Sequence, residues 1–198
     1  MSKKLIITGF ARSGTSLLTQ FLNLCGYDTG GSWSPEINAG FEDETFQKIV
    51  TTFQNNPLSE DLILFLEKEI KNVDKIVVKH PRLLVNPELL RIWTNIFPDT
   101  RILMTYREPI HALESKKSFG NLGYYTNLSP SEMDQKFKTF SNILIDLKIK
   151  YHTLYFPNFL ENYDEVYHSM SVLGIHIDKD RGRNIWYNLV DPNLVHYK

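Results

Sequence analysis

Three short stretches hold side chains suited to handling an anion. The first is GFARSGTS, residues 9–16. Gly9 and Gly14 keep the spacing of the outer glycines in the nucleoside-triphosphate loop G-x-x-x-x-G-K-S/T, but Thr15 stands at the lysine position and Ser16 keeps the hydroxyl after it. Such a turn still lets the backbone at Gly14 approach an anion, with successive amides and the positive end of a following helix aimed at it. What is missing is the cation that reaches the β- and γ-phosphates; Arg12 supplies charge from within the loop instead. This favours a 5′-phosphate-like anion over a magnesium-bound triphosphate. The plain alternative is a glycine turn without a ligand.

The second stretch is YREPIHALES. Arg107 falls where a strand should end, and Ser115 follows eight residues later, inside a helix that Pro109 can open. Ligands of open α/β sheets gather beyond the carboxyl ends of strands, so Arg107 can face an anion bound beside the first loop. A surface ion pair with Glu108 or Glu114 is the alternative, and Ser115 can equally bond back to the preceding helical turn. The third stretch is VVKHPRLL, with Lys79 and His80 at the end of another strand. A lysine there can stabilise charge building on a leaving phosphate oxygen, and an imidazole can take the proton of an incoming hydroxyl. Neighbours on an extended chain point to opposite faces, so both reach one substrate only if the strand has ended. A solvent-facing lysine is the alternative.

These residues need elements to hold them. KLIITG reads as a short buried strand, and Leu17, Leu18, Phe21, Leu22 and Cys25 share one face of a following helix, with Gly26 as its C-cap. Strand, glycine turn and helix together open an α/β unit. Tyr27 to Phe41 has three glycines and no periodicity, and reads as a long loop forming a binding wall. Helical patterns run from Asp43 to Phe53, from Leu58 to Ile70 and from Pro87 to Phe97; KIVVKHP and RILMTY supply further strands. Ser129, Pro130 and Glu132 spell a capped helix start, and the apolar stripe after it continues through Tyr151 and Leu154. TLYFPNF can be a fourth strand and YDEVYHSMSVLG a helix stopped by Gly174, while DKDRGRNIWY carries no secondary-structure signature.

Composition bounds the function. A chain of 198 residues supports one domain, residues 1–198, and 22 basic against 23 acidic side chains leave a formal charge of -1. No global field draws it to nucleic acid or to an anionic membrane, so any anion site is local. The one cysteine, Cys25, excludes an internal disulfide or a thiolate metal cluster and reads as a buried structural thiol. The apolar run LIITGFA is too short for a signal peptide or a membrane span, which leads to the expectation of a cytoplasmic protein.

With the three stretches located, the chain resembles the sulfotransferases that use 3′-phosphoadenosine 5′-phosphosulfate, PAPS. GFARSGTSLL is similar to that family's 5′-phosphosulfate loop, and YREPIHALES resembles its 3′-phosphate element, an arginine followed by proline and, eight residues after the arginine, a serine. The resemblance implies a three-layer P-loop-like α/β fold with a central, mostly parallel sheet flanked by helices. It implies that Arg12, Ser13, Gly14, Thr15 and Ser16 cradle the 5′-phosphosulfate, that Arg107 and Ser115 bind the 3′-phosphate, and that Lys79 contacts the transferring group and its bridging oxygen. Tyr163 and Asp164 resemble a structural segment of the family, and Arg181, Gly182 and Arg183 its late basic element over the 3′-phosphate or adenine. An acceptor hydroxyl or amine then attacks sulfur in line, adenosine 3′,5′-bisphosphate leaves, and no metal is required.

The general base departs from a clean pattern. Cytosolic-type members place a histidine two residues after the lysine, whereas here His80 is adjacent; other members use a glutamate from the region that holds Glu36, Glu42 and Glu44. Glu42 is placed first, Glu36 second and His80 third. Competing readings are a phosphotransferase with a degenerate loop and a non-catalytic nucleotide-binding or interaction protein. A phosphotransferase should show an aspartate for magnesium at a strand end, and the strand ends lack one. A small-molecule or carbohydrate acceptor is expected, in a pocket shaped by Trp33, Phe119, Tyr124 and Tyr125, with no nucleic-acid partner; a homo-oligomer is compatible with the composition.

Overall fold

A computed structural model describes residues 3–34, 39–117 and 128–190. Lys4–Gly9 forms strand β1, and α1 (Thr15–Leu24) follows the glycine turn. A short hairpin pairs β2 (Trp33–Ser34) with β3 (Ala39–Gly40), and helices α2 (Glu44–Asn55) and α3 (Glu60–Lys71) come next. Then β4 (Val77–Lys79) runs into a 3-10 turn (Pro81–Val85) and α4 (Leu89–Ile96). The rest of the chain gives β5 (Thr100–Tyr106), α5 (Pro109–Lys117), α6 (Pro130–Asp146), β6 (Lys150–Tyr155), α7 (Asn158–Glu161), α8 (Tyr163–Val172) and α9 (Lys179–Leu189).

The main sheet has four strands in the order β4-β1-β5-β6, and every pairing is parallel. This is the expected three-layer α/β architecture. Alternation along each strand sorts side chains to the two faces. Ile6, Val78, Ile102 and Met104 join a core with Phe46, Leu66, Trp93 and Phe140 from α2, α3, α4 and α6. Leu5, Ile7, Val77 and Leu103 face the opposite way, toward Leu18, Phe21, Phe159 and Trp186 from α1, α7 and α9. Parallel strands covered on both faces explain the unbroken apolar runs LII and IVV. Each fully buried aliphatic side chain among them contributes about 1.5–3 kcal/mol.

Lys4, at the amino end of β1, is a buried cation with a structural task. Its ammonium donates to the carbonyls of Val73 and Lys75 at 2.7 Å each, in the connection between α3 and β4, and lies over the Phe97 ring. The C-terminus of α1 closes in a Schellman motif: the amides of Gly26 and Tyr27 donate back to Asn23 and Leu22, with Gly26 at φ 97°. Ser129 and Glu132 form the reciprocal capping box expected of them.

Three expectations are corrected. The segment Tyr27 to Phe41 contains the β2–β3 hairpin rather than loop alone. The stripe after Ser129 does not continue as one helix: α6 ends at Asp146, Lys148 turns the chain at φ 54°, and Lys150 already pairs in register with Arg101. Tyr151 and Leu154 fit helical spacing by coincidence, and their β-prone neighbourhood is taken up by the open edge of β5. The tail read as featureless is α9, capped by the Asp178 carboxylate, which accepts from the Arg181 amide at 2.8 Å. Among the described residues no helix is long and apolar enough to cross a membrane.

Candidate functional site

Because the four strands are parallel, their carboxyl ends share one edge, and the three stretches meet there. β1 delivers Gly9 into the turn, with Gly9 in register with Thr105 and Ile7 with Lys79. The turn winds through positive φ at Arg12 (69°) and Gly14 (88°), and α1 begins at Thr15 without a side-chain cap on its first turn. A Cβ on Gly14 would lie 2.7 Å from Phe159 and 3.0 Å from Phe156, so only glycine fits between the loop and these rings.

Ser13 is fully buried, and its hydroxyl turns inward: it donates to the Phe10 carbonyl at 2.5 Å and shares a hydrogen bond with Thr105 Oγ1 at 2.6 Å. Ser13 therefore braces the loop with its side chain. Thr105 is the partner that sequence reading missed, although its place one residue before the end of β5 follows from the register. Arg107 leaves β5 beside this brace, 4% exposed; its Nη1 donates to the Arg12 carbonyl at 2.7 Å and its guanidinium lies over the Phe156 ring at 5.3 Å. The Arg12 Nε donates in turn to Ser115 Oγ at 3.4 Å, from α5. Arg12, Arg107 and Ser115 thus form one connected group around the turn.

Lys79 closes the other flank. Alternation on β4 sends it toward α1 and sends His80 to the opposite face. Its ammonium, 1% exposed, donates to Ser16 Oγ at 2.9 Å, to the Gly40 carbonyl at 2.8 Å and to the Glu42 carboxylate. An ammonium has three protons, and all three are engaged. Burial lowers the Lys79 pKa, and the Glu42 charge and hydrogen bond oppose that shift. Position 15 holds no lysine, but the Lys79 ammonium from the neighbouring strand reaches the Ser16 hydroxyl that follows the loop. The Gly40 carbonyl has no sequence signal, since any residue could present it.

His80 sits elsewhere. Its Nδ1 accepts from the Arg82 amide at 3.1 Å, capping the 3-10 turn, and its ring meets Phe46 edge-on at 6.0 Å. Burial, then the Arg82 and Lys79 charges, lower its pKa to about 3. Glu42 alone of the ranked base candidates is seen in contact with Lys79; Glu36, like Phe119, Tyr124 and Tyr125, lies outside the described residues, as does the Trp33 side chain.

The late basic element is not brought to this edge. Arg181 lies beside Leu24, Ile185 and Leu189 at the far end of α1, a helix of ten residues and so about 15 Å long. The cause is α9 itself: Trp186 is buried against Phe21 and donates to the Leu160 carbonyl at 3.1 Å, which turns Arg181 outward. Gly182 is buried where α9 approaches Tyr163, and Arg183 pairs with Asp164 at 3.1 Å over the Tyr163 ring. Cys25 is only partly buried, its thiol pKa raised by desolvation. Among the described residues no three His, Cys, Asp or Glu side chains converge as a metal site would need.

No family model matches the chain, and no curated protein matches it in sequence. Its fold is similar to that of solved structures. A sulfotransferase from Alicyclobacillus acidocaldarius superposes with a TM-score of 0.56 at 15% identity, covering 100% of this chain and 97% of that one. The sulfotransferase STF1 from Mycobacterium tuberculosis H37Rv gives 0.55 at 15% identity, covering 94% and 71%. A sugar kinase from Janibacter sp. HTCC2649 also aligns, over 88% and 96% of the two chains at 12% identity, but its TM-score of 0.47 is too low to argue from. At such identities the likeness establishes the fold alone, a three-layer α/β architecture shared with these two sulfotransferase structures.

Proposed function

We propose that this protein is a sulfotransferase that moves a sulfuryl group from PAPS to a hydroxyl or amine of a small-molecule or carbohydrate acceptor. The observation that carries the reading is the pairing of Lys79 with Glu42 and Ser16 at the mouth of a phosphate loop that has no lysine of its own. When bound, the donor supplies an activated sulfuryl group whose S–O bond to the 5′-phosphate breaks as the acceptor oxygen or nitrogen attacks sulfur.

The residues fit that ligand. The amides around Gly14, the uncapped start of α1 and the hydroxyls of Thr15 and Ser16 would hold the 5′-phosphosulfate; Ser13 would act through the loop it braces. Arg12, Arg107 and Ser115 would hold a second phosphate beside the first, which a simple phosphate loop has no need of. Lys79, its ammonium buried beside the loop, would stabilise the negative charge developing on the leaving oxygen. Glu42 would accept the acceptor's proton, since its carboxylate lies at the same edge as Lys79 and its side chain, 28% exposed, can be reached by an acceptor. His80, neutral with Nδ1 engaged in a cap, is a poorer base for that task.

Transfer of labelled sulfuryl from PAPS to a panel of hydroxyl and amine acceptors tests the reading. Turnover by the wild type and a loss of about 10²–10³-fold in Lys79→Met is the expected result. Binding of donor with no turnover on any acceptor would instead mark a nucleotide-binding protein without catalysis.

A further inference from the structure

The arrangement of Lys79 has a consequence for the order of events at this site. Its three protons go to Ser16, Gly40 and Glu42. An anion at the loop can engage Lys79 only by taking one of those protons from its present acceptor. The three acceptors are not equally replaceable. Ser16 belongs to the first turn of α1, and the Gly40 carbonyl is main chain in β3, paired across to Trp33. Glu42 precedes α2 on a flexible side chain whose carboxylate can be rehydrated, being 28% exposed where Lys79 is 1% exposed. It is the acceptor that gives way at least cost.

We infer that the Lys79–Glu42 ion pair is a latch that holds the carboxylate in check until the donor's phosphosulfate displaces it from Lys79, so that donor binding precedes and enables proton acceptance from the acceptor. The inference rests on the sulfotransferase reading and adds a binding order to it. While the Glu42 carboxylate accepts from the Lys79 ammonium, that oxygen is occupied and turned toward Lys79 rather than toward an incoming acceptor. The latch thus couples the two half-sites through one hydrogen bond: the anion gains Lys79, and Glu42 is freed where an acceptor hydroxyl would enter. It also ties the β2–β3 hairpin to the donor site, because Gly40 and Glu42 flank Phe41 and both accept from Lys79.

Calorimetric titration with adenosine 3′,5′-bisphosphate tests the latch without any acceptor. Removing the competitor should tighten binding, about fivefold in Glu42→Gln. Loss of simple charge repulsion would also tighten binding, so two controls separate the causes. Glu42→Asp keeps the charge but falls one methylene short of Lys79; the latch expects tightening here too, and repulsion alone expects none. In a Lys79→Met background the Glu42→Gln effect should vanish, whereas repulsion would persist. Glu42→Asp decides the matter if the double variant does not fold. Equal tightening with and without Lys79, or unchanged binding in Glu42→Asp, overturns the latch while leaving the donor reading intact. A wild type that does not bind the bisphosphate overturns both.

Discussion

At the scale of single residues, Lys79 and His80 show how one strand assigns opposite fates to neighbours. Lys79 points to α1 and the glycine turn, and His80 to the core face against Phe46. Both consequences are measurable. The His80 imidazole, with a pKa of about 3 in the folded chain against 6.5 for an ordinary histidine, takes up its proton more readily when unfolded. Its contribution is therefore fully present above pH 6.5 and is lost as the pH falls from there toward 3. Denaturant unfolding should show the wild type losing about 3 kcal/mol more between pH 7 and pH 4 than His80→Gln. Equal losses would mean that the imidazole is not shielded from protons as its burial requires. The opposite orientation of this pair was legible from the sequence, because alternation needs only the strand. What Lys79 touches was not, since Gly40 ends a two-residue strand and Glu42 follows it just before α2, too short a stretch to leave a periodic signal.

At the scale of elements, the capping box and the glycine turn make separable predictions. Ser129→Ala removes an acceptor from the first turn of α6 and should cost about 1 kcal/mol in a thermal or denaturant melt, with bisphosphate affinity unchanged. Gly14→Ala faces a left-handed φ of 88° and the rings of Phe159 and Phe156, and should cost about 2 kcal/mol or more while also weakening the bisphosphate. A Gly14→Ala protein with wild-type stability and affinity would contradict the geometry of the turn. Elements with their own punctuation were readable: β1 and its glycines, α6 with Ser129 and Glu132, α8 before Gly174. Those that failed depend on tertiary context. The end of α6 and the start of β6 are decided by pairing with β5, which no local pattern contains. The start of α9 did have a signal, Asp178 before Lys179, masked by the polar residues that follow.

At the scale of the whole molecule, the parallel order β4-β1-β5-β6 turns three distant stretches into one site. Residues 9–16, 79 and 107 come from three adjacent strands, and a parallel sheet leaves all three carboxyl ends on one edge. The sequence order of strand and turn was enough to anticipate this edge. It was not enough to locate Arg181, whose side chain follows from how α9 packs on α1. The central claim is that one ligand carrying two separated phosphates spans the phosphate turn and Arg107. Titration of the wild type and of Arg107→Ala with adenosine 3′,5′-bisphosphate, and of the wild type with ATP and magnesium, tests it most directly. The account predicts clear preference for the bisphosphate over ATP, and loss of most of that affinity in Arg107→Ala, by a factor of at least about ten, as expected for a charge-assisted contact worth about 1.5–3 kcal/mol. Equal or better binding of ATP with magnesium, or an Arg107→Ala protein that binds the bisphosphate as the wild type does, would contradict it.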